Sequence, residues 1–271
     1  MQIEINGHTI HYESHGAGRP VLMLHGGYLD NRHMMDEMEP CFHGRSGWQR
    51  IYPDLPGHGR TGMMPGVTSL DSMLEVTLRF MEAVAPNVPF AVSGMSAGGH
   101  LARGMVAQCP KRLLGVMMNA PATVVDFDKR RRPDPVTFYE EPEFRDLAGP
   151  GTEFLSQAEP VRKAGLADWG RTCMAPALAL LDRAANDVLW EPDNYAFSFP
   201  LDTAPFEKPS LILTGRQDTV VGFEDAWPVF LHYPRASFAV LDRCGHFIAP
   251  ENRALFAGFV RDWLDRMEAE L

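Results

Sequence analysis

The sequence predicts an α/β protein: a mostly parallel sheet flanked by helices, with a helical insertion. Three observations carry this expectation. Short continuous apolar runs recur along the chain, the pattern of strands covered on both faces. Apolar residues at helical spacing fill the stretches between them. Residues 121–205 break that rhythm: they hold ten of the 22 prolines and no convincing buried strand. We read 121–205 as short helices and loops forming a cap over one edge of the sheet, with residues 1–120 and 206–271 as the core.

Taken in order, Gln2–Ile5 and residues 8–13 alternate around Asn6-Gly7, a strong hairpin signal. Val21-Leu22-Met23-Leu24 is the first continuous run, ended by His25-Gly26-Gly27. Residues 49–53, 90–93, 113–118, 211–213 and 238–241 are runs of the same kind. Thr68 or Ser69 can cap a helix whose apolar face is Leu70, Met73, Leu74, Thr77, Leu78 and Met81. The last helix presents Leu255, Phe256, Phe259, Val260, Trp263, Leu264 and Met267. The hairpin adds antiparallel strands at one edge.

Composition removes several function classes. The net charge of −10 argues against a nucleic-acid binder, which needs clustered Lys and Arg. The one basic run, Lys129-Arg130-Arg131-Arg132, reads as a solvated face or loop. No run of eighteen apolar residues is present to span a membrane as a helix. Residues 1–12 alternate like a strand, not like the apolar stretch of a signal peptide. Cys41, Cys109, Cys173 and Cys244 form no C-x-x-C pair and suit free thiols in a reducing cytosol, so a cytoplasmic setting is expected. The histidines show no H-E-x-x-H, and neither a metal nor an organic cofactor is expected.

Gly94-Met95-Ser96-Ala97-Gly98 is the sharpest motif. It follows an apolar run and precedes a helical pattern through Leu101, Met105 and Cys109, the strand–turn–helix context of a nucleophile elbow. A serine hydroxyl needs a base to take its proton. His246, past Gly245 and after the last run, is the candidate. His100 is fixed by the helix after the elbow, and His232 falls late in the helix between the last two strands, toward the other end of the sheet. The base in turn needs a carboxylate. Asp218 follows the run 211–213 and gives the chain order Ser, Asp, His; Asp242, a few residues before His246, is its rival. For an oxyanion the donors are the Ala97 amide, at a helix start, and an amide of the His25-Gly26-Gly27-Tyr28 loop, with Gly27 chosen over Gly26 and Tyr28. His25 is assigned to bracing that loop.

These motifs, in this order, resemble the α/β-hydrolase fold superfamily across nearly the whole chain. The residues that carry the resemblance are His25-Gly26, the turn Asp54-Leu55-Pro56-Gly57-His58-Gly59-Arg60, the Ser96 elbow, the acid loop 215–218 and Gly245-His246. The pattern looks most like esterases, enol-lactonases and hydrolases of carbon–carbon bonds in aromatic-ring breakdown products. It departs from the last at Met95, where Asn is usual, and at Phe247, where Trp is usual. Tyr28-Leu29 stands where proline iminopeptidases continue with Pro-Gly, and Ser96 differs from the nucleophilic Asp of haloalkane dehalogenases and epoxide hydrolases.

The resemblance implies a serine hydrolase acting on a small-molecule ester, thioester or lactone through an acyl-enzyme. A carbon–carbon hydrolase using the same triad is the alternative, and its anionic substrate would call for a pocket cation, for which Arg32, Arg162 and Arg171 are candidates. A non-catalytic small-molecule receptor or signalling protein on the same fold is the third reading. Tyr139, Phe144, Trp169, Trp190 and Phe197 are assigned either to the pocket wall or, preferentially, to the cap's own core. A homodimer is compatible with the sequence, which leaves the oligomeric state open.

Overall fold

The computed structural model describes residues 1–147 and 149–270. Its main sheet has eight strands: β1 (Gln2–Ile5), β2 (His8–His15), β3 (Arg19–Leu24), β4 (Trp48–Pro53), β5 (Phe90–Met95), β6 (Leu113–Asn119), β9 (Ser210–Gly215) and β10 (Ala236–Leu241). The spatial order is β1-β2-β4-β3-β5-β6-β9-β10. β1 and β2 pair antiparallel through Asn6-Gly7, both at positive φ, and β2 pairs antiparallel with β4; the remaining pairs are parallel. The strand order reverses between β3 and β5, so the loops after these two strands flank a crevice at their carboxyl ends. Those loops begin with His25-Gly26-Gly27 and with Ser96.

Continuous apolar runs are explained by burial on both faces. In β3, Leu22 and Leu24 face one core with Leu74 and Phe80 of α2 (Leu70–Val84) and Leu101 of α3 (Ala97–Gln108). Val21 and Met23 face the other, with Met34 of α1 (Asn31–Met38) and Val260 and Trp263 of α12 (Arg253–Glu268). Ser69 caps α2 by accepting from Ser72 N–H, with the Ser72 hydroxyl returning the bond. The buried face of α12 is narrower than expected: Phe256, Val260, Trp263, Leu264 and Met267 form it, while Leu255, 41% exposed, and the half-buried Phe259 one turn on lie along its flank.

Residues 121–205 lie between β6 and β9, and those described add no strand to the main sheet. They form α4 (Pro142–Asp146), α5 (Pro150–Ala158), α6 (Ala164–Trp169), α7 (Ala175–Leu180), α8 (Arg183–Leu189) and α9 (Pro192–Tyr195). A π-turn, Gly170–Met174, joins α6 to α7. The prolines that marked the region have a mechanical use: Pro142, Pro150 and Pro192 stand in first helical turns, where no backbone N–H is missed. One detail went unexpected, a parallel two-residue pair, β7 (Tyr139–Glu140) with β8 (Val161–Arg162). Phe144, Leu155 and Trp169 join the core that contains Phe247 and Trp263, so the insertion shares a core with the main body. α10 (Ala226–Phe230) and α11 (Ile248–Glu251) complete the chain.

Candidate active site

The Ser96 backbone has φ 53° and ψ −114°, a conformation that costs a non-glycine residue roughly 1–3 kcal/mol. The surroundings over-determine it. Ser96 N–H donates to the Asn119 carbonyl (2.9 Å), and the Ser96 carbonyl accepts from His100 and Ala122 N–H (3.1 Å each). The flanking glycines let β5, α3 and β3 meet: a Cβ at Gly94 would stand 2.7 Å from Gly99 N, and one at Gly98 2.6 Å from the His25 carbonyl oxygen.

β9 and β10 run in parallel, with Gly215 opposite Leu241. Their following loops are tied together by Arg216 N–H to the Leu241 carbonyl (2.8 Å) and Gln217 N–H to the Cys244 carbonyl (3.0 Å). That places Asp218 beside His246. Asp218 is fully buried; its Oδ1 accepts from Val220 N–H (2.8 Å) and Val221 N–H (3.0 Å), and its Oδ2 accepts from His246 Nδ1–H (2.9 Å). A carboxylate only accepts, so Nδ1 carries the hydrogen and Nε2 is the free ring nitrogen. Asp242 is exposed and accepts from Gln217 Nε2 (3.1 Å), away from the imidazole.

Ser96, His246 and Gly27 line one cavity of about 800 Å³. Among the described residues no hydrogen bond joins Ser96 Oγ to the imidazole, a link that often closes only with substrate bound. Ala97 adjoins Ser96 at the first position of α3, where its amide has no intrahelical partner. Gly27 is required by its neighbour: a Cβ there would overlap the Trp190 ring, 2.7 Å from Cη2. His25 braces this loop: Nδ1–H donates to the Gly26 carbonyl (2.8 Å), Nε2 accepts from Leu55 N–H (3.0 Å), and burial pushes its ring down to about 4. Asp54 organises the turn after β4, accepting from Asn31 and Arg60 N–H (3.0 Å each). His100 lies outside the cavity, packed on Tyr195 and Phe197, and burial holds it near 3. His232 follows α10, and its carbonyl accepts from Phe206 N–H, ahead of β9.

The cation candidates are corrected. Arg32, Arg162 and Arg171 pair with Asp30, Glu140 and Asp168, and none lines the cavity. Arg130 and Arg183 do. Arg130 belongs to the basic run expected to be a solvated face or loop, which it is at Lys129, Arg131 and Arg132; Arg130 alone turns inward, its Nε donating to the Val124 carbonyl (2.8 Å) and Nη1 to the Val220 carbonyl (3.2 Å). Burial lowers its pKa. Of the five aromatics, Phe144 and Trp169 are core, Trp190 lines the cavity, Phe197 packs over Gly104 of α3, and Tyr139 is 47% exposed. Glu159, absent from the sequence reading, accepts from the amides of His246 and Phe247 (2.9 Å each). No sequence pattern links residues so far apart.

Comparison with known proteins agrees with this architecture. The chain is 26% identical over 254 residues to the pimeloyl-[acyl-carrier protein] methyl ester esterase of Nitrosomonas europaea, covering 88% of this chain and 92% of that one. It is 23% identical to a 2-hydroxy-6-oxononadienedioate/2-hydroxy-6-oxononatrienedioate hydrolase of Paraburkholderia phymatum, over 94% of this chain and 90% of that one. An alpha/beta superfamily hydrolase from Oenococcus oeni superposes with a TM-score of 0.88 at 25% identity, over 99% of both chains. Residues 21–259 match the alpha/beta hydrolase family, to which this chain therefore belongs.

Proposed function

We propose that the protein is a serine hydrolase that cleaves a carboxylic ester, thioester or lactone of a small molecule. The observation that carries this reading is the buried Asp218–His246 bond of 2.9 Å beside a strained serine in a shared cavity. His246 Nε2 takes the Ser96 hydroxyl proton as Oγ attacks the carbonyl carbon. The Gly27 and Ala97 amides hold the oxyanion. His246 then gives that proton to the leaving oxygen or sulfur, and water, activated by the same ring, releases the acid. Asp218 orients the ring and stabilises its charged form. The insertion acts as a cap, with Trp190, Phe154 and Leu178 supplying apolar wall.

Esterase-named relatives support the ester reading. The second reading, carbon–carbon hydrolysis of an anionic ketonised product, gains one specific observation: Arg130 in the cavity wall without a carboxylate ion-pair partner among the described residues. A panel of p-nitrophenyl esters of graded acyl length, with and without a terminal carboxylate, assayed beside a dienoic carbon–carbon substrate, separates the two. Turnover of neutral esters only supports the first. Turnover of the carbon–carbon substrate with esters inert supports the second. Binding without any turnover, in folded protein, supports the receptor.

A further inference from the structure

The loop that carries His246 is held from two directions by carboxyl groups. Glu159, just after α5, is 1% exposed, and its Oε1 accepts from the amides of His246 and Phe247 at 2.9 Å each. Glu251, the last residue of α11, accepts from Gly245 N–H at 2.7 Å through Oε2. Three consecutive amides are thereby satisfied by two side chains. Gly245 admits Glu159, since a Cβ there would stand 2.9 Å from the Glu159 Cδ. The other oxygens, Glu159 Oε2 and Glu251 Oε1, are buried, and no N–H or O–H of ordinary geometry from another residue reaches them. Both carboxyls meet at Gly245, Glu159 against its Cα and Glu251 on its amide. Two ionised carboxylates so placed, each with a buried oxygen that accepts from no other residue, would repel, and one proton between them relieves both.

We propose that Glu159 and Glu251 share one proton and form a positioning clamp that fixes the His246 loop and makes it depend on the docked insertion. The inference rests on the reading of His246 as the base. The groups facing the pair are few. From the loop after β10 come the Cys244 thiol and His246, and from the acid loop Asp218, whose charge opposes ionisation of Glu159. From β8, Arg162 Nε donates to the Glu159 carbonyl (3.1 Å) while its guanidinium pairs with Glu140. No Lys or Arg among the described residues pairs with either carboxyl. Burial first, then the neighbouring negative charge, raises Glu159 above the ordinary carboxylate range, and burial raises Glu251 to about 7. A carboxyl raised on folding stabilises the fold at low pH. That stability begins to fall once pH exceeds the ordinary value of 4.5 and is gone above the folded value near 7.

Glu159→Gln retains an oxygen for the two amides and replaces the shared proton with a permanent N–H donor. Thermal midpoints and kcat on an activated ester are measured from pH 5 to 9. The wild type should lose thermal stability relative to Glu159→Gln as pH rises, and its kcat relative to that of Glu159→Gln should fall with it, KM staying put. Glu159→Gln should lack both declines. Glu159→Ala should lower kcat about tenfold relative to Glu159→Gln at every pH, the scale of lost bonds to a strong acceptor. Parallel thermal curves overturn the shared proton. A thermal decline with a flat kcat overturns the clamp. Should Glu159→Gln fail to fold, Glu251→Gln makes the same test. If the wild type hydrolyses nothing, the catalytic reading fails. The clamp is then judged by amide exchange at residues 245–247, which should quicken in Glu159→Ala and not in Glu159→Gln; equal protection in all three proteins overturns it.

Discussion

Gly27→Ala should cripple turnover through a single clash. A Cβ at residue 27 would stand 2.7 Å from Trp190 Cη2 and 3.0 Å from Cε2, where relaxed carbon contacts lie at about 3.5–4.0 Å. Cζ2 is nearer still, so the indole must withdraw by well over ~1 Å. It has little room, being stacked on Tyr28 at 5.9 Å and packed on Tyr195 at 4.8 Å. Overpacking of this kind costs about 1–3 kcal/mol. Much of the displacement should fall on the loop itself, moving the 27 amide out of line, and losing one oxyanion donor lowers kcat by about 10²–10³. The assay is kcat and KM for Gly27→Ala, Trp190→Ala and the double variant on one activated ester, with thermal melts beside them. The double variant should return to the activity of Trp190→Ala, because the atoms that the new methyl meets are gone. Wild-type activity in Gly27→Ala, or a loss that persists undiminished in the double variant, refutes the reasoning.

Three further outcomes are expected. Asp218→Asn should lower kcat by about 10⁴, the cost of the wrong imidazole tautomer, whereas Asp242→Asn, at an exposed residue whose carboxylate accepts from Gln217, should stay close to wild type; purified variants on one ester decide it. Arg130→Met should raise KM for acyl chains ending in a carboxylate by about tenfold or more, from a lost charge-assisted bond, and leave neutral esters unchanged; equal effects on both would remove Arg130 from substrate recognition. Trp263→Ala should destabilise by about 3–5 kcal/mol, since the side chain is fully buried and its indole N–H donates to the Pro209 carbonyl (3.0 Å); denaturant melts read it, and a loss under 1 kcal/mol would contradict the packing.

What the sequence made legible follows the range of the signal. Asn6-Gly7, the runs of β3, β5 and β6, and the Ser69 cap are local patterns, and each formed as read. The places of Ser96, Asp218 and His246 could be read because each sits at a short offset past a strand; the topology brings Ser96 and His246 to one cavity and sets Asp218 behind His246. The basic run lies in a loop as one of its readings had it, but the inward turn of Arg130 was not legible, because such a run looks alike whether all its members face water or one turns to two carbonyls. Arg32, Arg162 and Arg171 were wrong for the converse reason, each being taken up by a nearby carboxylate. Trp190 and Glu159 meet Gly27 and His246 only after 121–205 folds back on the sheet, a juxtaposition that no periodicity encodes.

The central claim is that Ser96 is the nucleophile and His246 its base. Treatment with a fluorophosphonate, followed by intact-mass and peptide mass spectrometry, addresses it at the atom concerned. The account predicts one adduct, on Ser96, formed at the rate at which ester hydrolysis is lost, and greatly slowed in His246→Ala. An adduct on another residue, or full hydrolysis in protein whose Ser96 is quantitatively labelled, would contradict it.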